Sequence, residues 1–93
     1  MRLPKVIKIG GHVFEVKRVK RCEDDADGFY DLTKQLITID EENRKYEGQV
    51  LLHEVLHAID YVYNNAILTE EQVERLSQGL YDFLRNNKIE WRK

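Results

Sequence analysis

The sequence contains one cysteine, Cys22, and one proline in 93 residues. A lone cysteine excludes an intramolecular disulfide, and with it the stapled scaffold of a small secreted domain. No second cysteine or histidine stands at ligand spacing from Cys22, so it reads as an ordinary free thiol. No apolar run approaches the ~20 residues of a membrane span, and Met1 to Gly10 lacks the apolar core of a signal peptide, which makes the cytoplasm the expected location. Positive charge is not in excess either. Fifteen basic side chains against seventeen acidic ones give a net charge of −2, so no nucleic-acid partner is expected. The densest basic run, Lys17, Arg18, Lys20 and Arg21, is followed at once by Glu23, Asp24, Asp25 and Asp27, which predicts local charge pairing. Repeats, low-complexity tracts and Pro/Ser-rich linkers are absent, so residues 1–93 are read as one domain.

What is present is a folded composition, 42% hydrophobic and 34% charged. Val6, Ile7 and Ile9 precede Gly10-Gly11, and Val13, Phe14, Val16 and Val19 follow, interleaved with polar residues: two strands joined by a tight turn. Residues 22–28 are turn-like, and Phe29, Tyr30, Leu36, Ile37 and Ile39 predict one or two further strands. The expectation is an α+β fold, a small antiparallel sheet of three or four strands packed against two helices.

After Asp40 the apolar spacing becomes helical, placing a helix at about 46–64. At about 100° per residue, Leu51, Leu52, Val55, Ala58, Ile59 and Val62 form one broad aliphatic face, which should cover the sheet. His53, His57 and Asp60 lie on the opposite side, with Glu54 and Tyr61 on one flank. Thr69 and Gln72 have capping-box spacing, starting a second helix that runs to about Asn86. Its stripe of Val73, Leu76, Leu80, Phe83 and Leu84 suits packing on the first helix or sheet, with Gly79 permitting close approach.

His53-Glu54-Val55-Leu56-His57 is an HExxH motif. On a helix, residues four apart project from the same face one turn apart, so both imidazoles can bind one Zn²⁺, while the offset Glu54 can reach a water at the metal and act as general base. A catalytic zinc takes three protein ligands, and the second helix offers Glu70, Glu71 and Glu74. Glu70 is the first choice by its nearness to the packed face; Glu74 is the reserve, and Glu71 points away. Asp60 is read as support for an imidazole N–H, as an alternative oxygen ligand or as a merely exposed residue. His12 falls in a hairpin turn, where a surface role is expected. Tyr30, Tyr61, Tyr63 and Tyr81 are all candidates for an oxyanion donor, with aromatic packing the default for each.

The segment HEVLHAID, followed by LTEEQVERLSQGLYDFLRNN and preceded by GFYDLTKQLITID, resembles the small phage- and prophage-encoded HExxH proteins related to the ImmA/IrrE group of metallopeptidases. The resemblance covers about residues 28–87. It implies a minimal gluzincin-like site in which His53 and His57 bind zinc, Glu54 activates water and a glutamate of the next helix, Glu70, completes the ligands. The expected activity is zinc-dependent hydrolysis of a peptide bond, with a peptide or protein substrate pairing along an exposed strand edge, the 35–39 strand being the candidate. The competing expectation is a zinc-binding module that recognises another protein without cleaving it.

Overall fold

The computed structural model describes residues 3–20, 28–40 and 47–89; Cys22, the acidic segment after it and the residues after Ile89 lie outside the described residues. Strand β1 (Val6–Ile9) and strand β2 (His12–Val19) form the expected hairpin. Gly10 takes the left-handed conformation (φ 60°) that the two-residue turn requires. Strand β3 (Gly28–Asp31) and strand β4 (Leu36–Asp40) form a second hairpin, whose turn is held by Lys34 N–H donating to Asp31 Oδ1 at 3.1 Å.

The four strands lie in the order β1-β2-β4-β3, with β2 and β4 parallel, so the sheet is mixed where all-antiparallel pairing was expected. The physical reason is where β3 enters. It forms the outer edge, and the tight turn after it folds β4 back into the space beside β2, which fixes β4 parallel to β2. Strand β4 is therefore interior, with Ile37 and Ile39 fully buried. It cannot receive a peptide as an added strand, which corrects the expectation for residues 35–39; the sheet's edges are β1 and β3.

Helix α1 (Glu47–Tyr63) lies across the sheet. Leu51, Val55 and Ala58 from its aliphatic face join Ile9, Phe14, Ile37 and Ile39 in one core cluster, each large side chain worth about 1.5–3 kcal/mol on burial. Ile59, at the margin of that face, is 37% exposed. Arg18 grips Glu47 with a two-pronged contact, Nε to Oε2 at 2.6 Å, fastening β2 to the first turn of α1. Among the described residues, the basic run thus pairs with Glu47 through Arg18 and with Glu15 through Lys17.

Helix α2 (Glu70–Asn86) starts at the expected capping box: Gln72 N–H donates to Thr69 Oγ1 at 3.1 Å, and Thr69 N–H donates to Gln72 Oε1 at 2.9 Å. It docks on α1 through Val73 of the expected stripe but otherwise along a line rotated from it. Val73 and Ser77 are fully buried, whereas Leu76, Leu80 and Phe83 are exposed, and a Cβ at Gly79 would meet nothing within 4 Å. The rotation that turns Glu70 and Glu74 toward the α1 histidines carries Leu76, Leu80 and Phe83 to the surface. Ser77 satisfies its buried hydroxyl by donating to the Glu74 carbonyl at 2.9 Å.

Candidate metal centre

Helix α1 sets the two imidazoles one turn apart, with His53 Nε2 and His57 Nε2 separated by 3.2 Å. Helix α2 brings the Glu70 carboxylate over both: Oε1 is 2.6 Å from His53 Nε2, and Oε2 is 2.9 Å from His57 Nε2. Each residue presents a ligand atom within 4.8 Å of the others, so His53, His57 and Glu70 could hold a metal ion.

The distances fit such an ion. Two nitrogens bound at ~2.0–2.1 Å to one tetrahedral metal stand about 3.3 Å apart, close to the 3.2 Å between the two Nε2 atoms. Glu70 is 71% exposed, so the group opens to solvent on that side and leaves room for water.

Glu74, the reserve ligand, has another place. Its Oε2 is 3.1 Å from His53 Nδ1, the ring nitrogen on the far side from Glu70. Its Oε1 accepts from Gln49 Nε2 at 3.4 Å and from Gln78 Nε2 at 3.2 Å. This carboxylate, anchored by two amides, is placed to accept from an Nδ1–H and so to orient the His53 ring with Nε2 toward Glu70 and His57.

Glu54 is buried between α1 and β3. Burial pushes its carboxyl up from 4.5 to about 7; His53 opposes the shift, and Glu70 and Glu74 add to it. The approach of β3 depends on Gly28, where a Cβ would stand 2.6 Å from Val50 Cγ1 and 3.2 Å from Glu54 Oε2. Two residues on, and so on the same face of the strand, Tyr30 stacks against His57 with ring centroids 5.1 Å apart and planes inclined by 15°. Burial and then the charges of Glu54, Asp60 and Glu70 raise the Tyr30 phenol above 10.0, keeping it a neutral donor.

No family model, curated protein or solved structure matches this chain. The assignment of the site rests on its own residues.

The other candidates separate clearly. Asp60 is buried and serves the α1–α2 connection: its carboxylate accepts from Asn64 Nδ2 at 3.0 Å and from Leu68 N–H at 3.2 Å, and its carbonyl accepts from Asn64 and Ala66 N–H. It closes a reversal in which Asn65 and Ala66 both have positive φ, which replaces the roles of ligand and imidazole support. His12 lies at the start of β2 beside Gln35, apart from the three residues that could hold a metal ion. Tyr61 and Tyr63 are exposed and Tyr81 packs under Arg85, which leaves Tyr30 as the tyrosine at the histidine pair among the described residues. Sequence reasoning missed that selection and the Gly28 contact, because both depend on which strand lies beside α1. The Glu74 contact was foreshadowed by its spacing of four from Glu70.

Proposed function

We propose that His53, His57 and Glu70 hold zinc and that the chain is a minimal peptidase related to the ImmA/IrrE group. The observation that carries this reading is the convergence of two Nε2 atoms and both Glu70 oxygens on one point. Two imidazoles and a carboxylate suit zinc, whereas magnesium and calcium favour all-oxygen shells.

Bound there, zinc would polarise a scissile carbonyl and acidify a water. Glu54 takes the proton of the attacking water and returns it to the leaving amine, its carboxyl held beside the histidine pair without joining the three metal ligands. Tyr30 offers a phenol hydrogen to the oxygen that gains negative charge. An extended peptide pairs with β3, the edge strand whose residues Gly28 and Tyr30 lie against Glu54 and His57.

The test is a peptide-library cleavage assay with zinc-loaded wild type and Glu54→Gln. General-base assistance is worth ~10²–10⁴-fold, so the variant should cleave that much more slowly at unchanged zinc content. Equal cleavage by both proteins would overturn the proposed mechanism. Cleavage by neither, with one zinc in each, would favour a recognition module.

A further inference from the structure

We propose that Gly28 is a positioning residue for the histidine pair: having no side chain, it lets β3 close onto α1 and lay Tyr30 against the His57 ring. Its backbone does not call for glycine. Gly10 is the glycine with positive φ among the described residues, so Gly28 keeps a strand conformation open to any residue. Glycine inside a strand weakens it and often marks a place where another element comes close. Here that element is α1. A Cβ at Gly28 would stand 2.6 Å from Val50 Cγ1, 3.2 Å from Glu54 Oε2 and 3.3 Å from Glu54 Cγ, the first of these well inside van der Waals contact.

A side chain at that position would displace β3 and leave α1 in place. Val50 does not swing aside, because a β-branched side chain in a helix is held close to one χ1 rotamer and Val50 packs against the core cluster. Helix α1 is fixed in turn by Leu51, Val55 and Ala58 in that core and by the grip of Arg18 on Glu47. Strand β3 is four residues long and lies at the edge of the sheet, paired on one side with β4. Tyr30 stands two residues from Gly28 on the same face, so a β3 pushed off α1 carries the phenol ring away from His57.

The two imidazoles differ in what holds them. His53 meets a carboxylate at each ring nitrogen, Glu70 at Nε2 and Glu74 at Nδ1. His57 meets Glu70 at Nε2 and the ring of Tyr30 across its face. His57 is therefore the imidazole that β3 supports, and the glycine governs its orientation through Tyr30. The geometric part of this inference stands without a metal; its effect on zinc rests on the metal-centre reading.

Nuclear magnetic resonance of the full chain reads the stack through the upfield shift that the Tyr30 ring imposes on the His57 ring protons, with Tyr30→Leu as the unstacked reference. Gly28→Ala should move those protons most of the way to the reference. Val50→Ala removes the methyl that a Cβ would strike, so adding it to Gly28→Ala should return the shift to near wild type. Val50→Ala alone should keep the stack while lowering the melting temperature, which separates position from stability. In zinc titrations Gly28→Ala should bind roughly two- to tenfold more weakly, the range an aromatic pair supplies, and the double variant should recover. A wild-type His57 shift in Gly28→Ala overturns the proposal, as does a double variant that stays unstacked. Should Gly28→Ala fail to fold, the double variant is compared with Val50→Ala, and equal shifts in a folded protein sustain the proposal. Wild type that binds no zinc contradicts the metal-centre reading, and the ring shift then decides the role of Gly28.

Discussion

His53 Nδ1 lies 3.1 Å from Glu74 Oε2, while Nε2 of the same ring lies 2.6 Å from Glu70 Oε1, so one imidazole is held between two carboxylates four residues apart on α2. The two contacts predict different consequences. Outer carboxylates that orient a ligating histidine typically contribute about 10–100-fold to metal affinity. Glu74→Gln should therefore lower zinc affinity by about that factor, read by competition with a fluorescent chelator. An affinity unchanged from wild type would remove Glu74 from the site.

Glu70→Gln should cost more than Glu74→Gln, because it replaces an anionic ligand and loses the oxygens that face both imidazoles. Glu71→Gln should be nearly silent, since Glu71 is exposed and paired with Arg75. Asp60→Asn should act on the fold instead. It weakens acceptance from Leu68 and Asn64 in the α1–α2 connection and should lower the melting temperature with little change in zinc affinity. If Asp60→Asn dominates the loss of zinc, the assignment of Glu70 is wrong.

Glu54 predicts a pH dependence for protein stripped of metal by a chelator. Below about 4.5 the carboxyl is neutral in both folded and unfolded chains. Between 4.5 and about 7 the unfolded chain gives up its proton first, so rising pH favours unfolding. The stability lost is on the order of 3 kcal/mol and is fully gone above about 7. Glu54→Gln, neutral throughout, should match wild type at pH 4 and exceed it at pH 8 in denaturant titrations. A constant difference across that range would contradict the burial assigned to Glu54.

The site was legible in the sequence to the extent that local periodicity determines it. His53 and His57 follow from a spacing of four on a helix whose aliphatic face is unmistakable, and Glu70 follows from the Thr69 cap, which fixes where α2 begins. The rotation of α2 was not legible. Beside Val73, Ser77 competes with Leu76, Leu80 and Phe83 for the inward face, and hydrophobicity alone favours the latter three; the buried line is the one that also aims Glu70 and Glu74 at the imidazoles.

The parallel pairing of β2 with β4 was hidden for a related reason. Alternation and turn residues identify hairpins but do not say on which side of the sheet the second hairpin docks. Once β3 is known to be the edge beside α1, Gly28 and Tyr30 acquire meaning together. Asp60 was misplaced because a helical wheel records angle and ignores height. Near the end of α1 it is closer to the N–H groups of Asn64, Ala66 and Leu68 than to the imidazoles.

The most direct test of the metal centre is the zinc content of purified wild type, His53→Ala and His57→Ala, measured by mass spectrometry of the metal after dialysis against trace zinc. Wild type should carry about one zinc per chain, the number that two imidazoles and one carboxylate can hold. Each variant should fall well below half of that while keeping the wild-type far-ultraviolet spectrum. Wild type without zinc, or variants that retain it in full, would contradict the assignment of His53, His57 and Glu70 as the metal-binding group.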